Sequence, residues 1–164
     1  MRRVVLVLQQ PEHLGEVLGE ACAIARSERC RLTIVGMPQE VTFVYVWAAL
    51  SGVTTLQCVQ NDAVTEAAEL ARHAASEVPS DLAVEHHAAT GWRCSCFLDA
   101  LRSGNCQAVV LGAMPARTRD RRAVTIAASE GGARVVCPGE PDRAAEAVLG
   151  SGGRRRVWAG WSAS

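Results

Sequence analysis

The chain has 164 residues, 49% of them apolar and 21% charged, with a formal net charge of +0. This balance suits one globular domain with a real hydrophobic core and excludes a disordered chain. It also excludes the whole protein as an electrostatic partner for nucleic acid or an anionic membrane, and because all 17 basic residues are arginine, no Schiff-base or P-loop lysine can exist.

Residues 3–8 read Arg-Val-Val-Leu-Val-Leu, a continuous apolar run that suits a strand buried on both faces of a parallel sheet. The run is too short for a secretory leader, and the seven cysteines are odd in number. The expectation is a reduced, cytoplasmic chain with buried thiols. Pro11 and Glu12 open a first helix, in which Leu14, Val17, Leu18, Ala21, Ile24 and Ala25 follow helical spacing. Leu32-Thr33-Ile34-Val35-Gly36-Met37 is a second strand.

Residues 41–59 carry no charge, but Ser51-Gly52, Thr54-Thr55 and Gln57 interrupt them, so no membrane span is expected. With Tyr45 and Trp47, this stretch reads as a contact surface. Asn61 or Asp62 caps a second helix with an apolar stripe from Val64 to Val78, stopped by Pro79. Residues 82–88 form a third strand. Leu82, Val84 and His86 share one face and Glu85 and His87 the other, so one histidine is expected in the core and one in solvent.

A third helix over 94–102 turns Phe97, Leu98 and Leu101 inward and ends at Gly104 as C′ residue. Ala108-Val109-Val110-Leu111-Gly112 is the fourth strand, followed by a basic loop, a fourth helix over 123–130 and a last strand over 133–137. Residues 150–164 are rich in Gly, Ser and Arg and read as a flexible tail after one domain over 1–149. The mixture of Arg154, Arg155 and Arg156 with Trp158 and Trp161 is read as part of that tail, not as a nucleic-acid site.

Strands alternating with helices imply an α/β fold, a parallel sheet with helices on both faces. A ligand cleft then forms beyond the carboxyl ends of the strands, here at Gln9-Gln10-Pro11, Met37-Pro38 and Gly112 onward. The nucleophile elbow, the dinucleotide glycine fingerprint and the P-loop are all missing, so no catalytic residue is assigned. Cys94 and Cys96 lie two apart with no second pair at zinc spacing, so no metal site is assigned. Cys94, Cys96 and Cys106 are candidates for redox sensing if exposed as thiolates.

In order and spacing, Arg2-Arg3-Val4-Val5-Leu6-Val7, Leu32-Thr33-Ile34-Val35, Gly91, Ala108-Val109-Val110-Leu111-Gly112 and Cys137-Pro138 resemble the universal stress protein family. That resemblance implies a doubly wound, open, five-stranded parallel sheet of the adenine nucleotide alpha hydrolase-like kind. It also implies a homodimer, a role in stress response or signalling, and in many members ATP or AMP as ligand. The chain departs from the nucleotide-binding members at two places. Gln9 and Gln10 stand where those members carry an aspartate. In their glycine pattern after the fourth strand only Gly112 matches, with Pro115 at the second glycine, Thr125 at the third and Ile126 at the hydroxyl position.

Proline offers no N–H to a phosphate, so the cradle is altered. Arg117, Arg119, Arg121 and Arg122, with the hydroxyls of Thr125 and Ser129, are the available replacements. The residues expected at a cofactor are Gln9, Gln10, Met37, Gly112, Arg117 and Arg119. The leading expectation is a non-enzymatic regulatory module acting by dimerisation or docking to a protein partner, with nucleotide binding weak or lost. The alternatives are an ATP or AMP sensor using this cleft, and an enzyme acting on nucleotide substrates.

Overall fold

A computed structural model of the chain describes residues 2–38, 56–89, 95–112 and 119–138, and at 56–60, 95 and 119 the backbone alone. Its elements in chain order are β1 (Arg3–Leu8), α1 (Leu14–Ser27), β2 (Arg31–Gly36), α2 (Leu56–Ser76), β3 (Val84–Ala88), α3 (Ser95–Arg102), β4 (Cys106–Leu111), α4 (Arg119–Glu130) and β5 (Arg134–Val136). The five strands pair in parallel in the order β3-β2-β1-β4-β5. This is the doubly wound sheet expected from the alternating pattern.

The chain starts at the centre, steps outward to β3, then crosses back to β4 on the other side of β1. Right-handed crossovers in opposite directions put their helices on opposite faces. The core divides accordingly. Val4, Leu6 and Leu8 pack with α1 and α2, whereas Val5 and Val7 pack with Leu101 of α3 and with Val124, Ala127 and Ala128 of α4. All five of these β1 residues are buried, as their unbroken apolar run requires.

Close approach of α2 to the sheet depends on small residues. Ala67, Ala71 and Ala74 are buried along one stripe of the helix, and a Cβ on Gly36 would overlap the backbone carbonyl of Ala67. Outside the core, Arg26 of α1 donates from Nε and Nη2 to the two carboxylate oxygens of Asp81, at 2.8 and 2.9 Å. This fork holds the Asp81 carboxyl below its usual range. Arg102 likewise joins α3 to α4 through Glu130, at 2.7 Å.

Several expected boundaries move. Asn61 and Asp62 lie inside α2, which begins at Leu56; the preference for a capping side chain, about 1 kcal/mol, is outweighed by continued helical hydrogen bonding. Pro11 to His13 form a turn before α1, with Leu14 N–H donating to the Pro11 carbonyl. His13 takes the N-cap position in the left-handed region at φ 57°. Leu82 belongs to a turn, its N–H donating to the Pro79 carbonyl, and β3 starts two residues later. Helix α4 starts at Arg119, four residues before the expected Ala123, with Asp120 in its first turn to offset the arginines. Gly104 does end α3, at φ 74°. His86 and His87 are both exposed, because β3 is an edge strand and neither face there is fully covered. Of the uncharged segment 41–59, residues 41–55 lie outside the described residues and 56–59 open α2; Gly91, Cys94 and the tail 150–164 also lie outside them.

The Gly36–Ala67 contact makes a quantitative expectation. Gly36→Ala should destabilise the domain by about 1–3 kcal/mol, the usual result of overpacking a close backbone contact. Urea denaturation measures it, and an unchanged midpoint would mean that α2 can retreat from β2 without loss.

Candidate functional site

The carboxyl ends of β1 and β2 are tied together just beyond the strands. Met37 N–H donates to the Leu8 carbonyl at 2.7 Å. Gln9 follows β1 directly and is only 6% exposed, and its Nε2 donates to the Pro38 carbonyl at 3.2 Å. A buried amide needs such a partner, since an unmade hydrogen bond there costs about 1–3 kcal/mol. On the other side of β1, Gly112 N–H donates to the Val7 carbonyl at 2.7 Å. A Cβ at Gly112 would come within 2.8 Å of that same oxygen and 2.6 Å of Leu8 Cδ2, so glycine is what lets β4 leave the sheet this close to β1.

A cavity of about 350 Å³ opens beside this rim. Gln9, Pro11 and Met37 form its sheet side, and α2 forms the opposite wall with Ala67, Leu70, Glu66 and Glu69. Glu66 and Glu69 supply the carboxylates of this lining, and His73 lies 3.4 Å from Glu77 (Nε2 to Oε1). Among the described residues no arginine lines it. Both carboxylates are exposed, so the negative charge they set against a phosphate brought here is screened by solvent.

Of the residues expected at a cofactor, Gln9 and Met37 meet in this cavity, and Gly112 lies one strand away against Val7 and Leu8. Gln10 is half-buried and stands outside the lining. Arg119 begins α4 with only its backbone described, and Arg117 lies outside the described residues. The hydroxyls offered as replacement phosphate donors are engaged inside α4: Thr125 Oγ donates to the Arg121 carbonyl at 2.8 Å and Ser129 Oγ to the Thr125 carbonyl at 2.9 Å. The acidic wall was not foreseen. Glu66 and Glu69 are visible in the sequence as polar positions off the apolar stripe, but their distance from Gln9 depends on how α2 lies on the sheet.

The thiols separate by burial. Cys106 is buried at the amino end of β4, with its Sγ donating to the Ala108 carbonyl at 3.2 Å. Desolvation pushes this thiol up to about 11, and burial also raises Cys22 and Cys30. These thiols are held protonated, the reverse of what a redox sensor needs. Cys96 on α3 is exposed. Cys137 is half-buried and accepts from Arg121 Nη2 at 3.3 Å. Among the described residues no group of three His, Cys, Asp or Glu side chains could hold a metal ion, and no helix is long and apolar enough to cross a membrane.

No protein-family model matches this chain, and no curated protein does. Solved structures do. A universal stress protein from Archaeoglobus fulgidus is 15% identical, with 84% of this chain and 93% of that one covered, at a TM-score of 0.47. The Archaeoglobus fulgidus protein in complex with dAMP is 17% identical, covering 84% and 96%, at 0.45. A universal stress protein in complex with cAMP is 16% identical, covering 83% and 95%, at 0.39. All three are members of the family that the sequence resembles.

The raised thiol of Cys106 sets a pH dependence. An unfolded thiol ionises near 9 and the folded one near 11, so above pH 9 the unfolded chain binds fewer protons than the folded one. The stability linked to Cys106 is therefore complete below pH 9 and lost between pH 9 and 11, by about 2–3 kcal/mol. Urea denaturation across that range should show the fall, and Cys106→Ala should make it shallower. An identical slope in both proteins would show that the thiol ionises as readily folded as unfolded.

Proposed function

We propose that this chain is a universal-stress-type regulatory module that acts without catalysis, by forming a dimer or docking to a partner protein, and whose adenine-nucleotide cleft is weak or lost. The observation that carries this reading is the position of Thr125 and Ile126. Counted from Gly112, they occupy the places where a nucleotide-binding member has glycine and a hydroxyl residue. Both lie inside α4, which runs from Arg119 to Glu130. Only the first four N–H groups of a helix lack an intrahelical acceptor, so the amides at 125 and 126 are already used and have none to give a phosphate.

Two further features support it. Gln9 stands in place of a carboxylate that would accept from a ribose or base, and it spends a donor on Pro38. Glu66 and Glu69 place negative charge on the wall nearest the rim. The sensor alternative needs the arginines from 117 to 122 to supply what these positions withhold. The role in stress response and the cytoplasmic location belong to the same proposal, resting on the sequence resemblance.

Calorimetric titration with ATP and AMP, with and without magnesium, tests the cleft. The expected result is no binding up to millimolar nucleotide. Micromolar affinity would overturn the lost-cleft reading and establish the sensor.

The partner-docking half is tested apart from the nucleotide. If residues 41–59 form the dimer contact, Trp47→Asp should halve the molecular mass measured by light scattering. A dimer that survives the substitution would remove this segment from the interface.

A further inference from the structure

Among the described residues, the two faces of the sheet are not equally covered. Helices α1 and α2 pack over one face from β4 to β3. On the other, α3 is only 8 residues long and is pinned to α4 by Arg102, whose guanidinium reaches both Asp99 and Glu130. It leaves a groove of about 290 Å³ between itself and strands β2 and β3. This groove runs along the sheet from Arg3 at the amino end to His87 at the carboxyl end of β3, on the face opposite the α2 wall of the cleft.

Its walls are mainly apolar, with Val5 and Val35 from the strands and Phe97 and Leu101 from α3. One polar group breaks that pattern. Thr33 lines the groove and is 5% exposed, and its Oγ has no hydrogen-bond partner among the described residues. A buried hydroxyl left unpaired costs free energy and signals a missing partner. Thr33 lies beside Val5 in the register, two residues along from the paired Arg3 and Arg31. Of those arginines, Arg31 is bound to Glu85 at 3.1 Å. Among the described residues Arg3 has no ion pair and the groove lining contains no carboxylate.

We propose that this groove is a ligand site for a small aromatic carboxylic acid of one ring. The carboxylate accepts from the Arg3 guanidinium and the Thr33 hydroxyl, and the ring lies against Val35 and Phe97. Size sets the one-ring limit: an apolar cavity of about 150 Å³ holds benzene, and the volume here is about 290 Å³. Charge sets the acid. An arginine without a carboxylate partner at the end of an apolar groove favours an anion and disfavours a cation. This site is independent of the nucleotide cleft and of the proposal made for it.

Fluorine NMR of the full chain titrated with 4-fluorophenylacetate tests it, with 4-fluorobenzylamine as the cationic counterpart. The acid should bind with a Kd near or below about 1 mM, and the amine at least ten times more weakly. Arg3→Gln, a surface change that leaves the core intact, should weaken the acid by about tenfold. Thr33→Val should weaken it several-fold while leaving the thermal midpoint unchanged or higher, because the unpaired hydroxyl is gone. Ala100→Phe, which puts a ring into the groove from α3, should abolish binding. No binding at 10 mM probe (about ten times the expected Kd), equal affinity for the amine, or full affinity in both Arg3→Gln and Thr33→Val would overturn the proposal.

Discussion

Strand β1 is hydrogen-bonded along both edges and buried on both faces, and the rest of the domain is arranged around that condition. Its register with β2 and β4 fixes where the carboxyl-end rim lies. Its alternating side chains, Val4, Leu6 and Leu8 against Val5 and Val7, define the two core layers. A slip of one residue would exchange the two sets and destroy both layers at once. Truncating a side chain such as Leu6, which is fully buried, removes contacts worth about 2–5 kcal/mol, a large share of a domain's total stability.

From that frame come two concave regions of opposite electrostatic character. Beside the rim, the α2 wall brings Glu66 and Glu69 towards Gln9 and Met37. Across the sheet, the short α3 leaves an apolar groove with Arg3 at its end. Neither charge follows from net composition, which is balanced. Each arises because a helix or strand presents one or two exposed charges beside a concave surface. Doubly wound sheets are suited to ligands at the carboxyl rim. In this chain the Gln9 amide at the rim donates to the Pro38 carbonyl, and the Thr125 hydroxyl is engaged within α4.

The fold was largely legible because the strands of a parallel sheet are apolar on both faces, and runs such as Val4 to Leu8 and Ala108 to Leu111 have few other uses. Helix starts were less legible. Caps and macrodipole effects contribute about 1 kcal/mol or less each, so Asn61 and the arginines before Ala123 were weak guides against the cooperative extension of a helix. The histidine pair misled for a different reason. Alternation along a strand was correctly inferred, but burying one histidine also requires a covered face, and β3 proved to be an edge. For the site, the strand ends alone place Gln9 and Met37 at the rim, where they line one cavity, while the carboxylates of that cavity and the groove under α3 were not legible.

The sequence by itself determined which segments become strands and helices, that the strands are parallel, and that the rim after β1, β2 and β4 is where a cleft can form, because these follow from local periodicity and the handedness of chain crossovers. Only the tertiary structure decided what the concave surfaces contain. Gln9 meets Pro38 across 29 residues of chain, Glu66 reaches the cleft because Ala67 packs over Gly36, and Thr33 is buried in a groove walled by Phe97 and Leu101 of α3. Each is an encounter between residues distant in sequence, set by packing, and no local pattern encodes it.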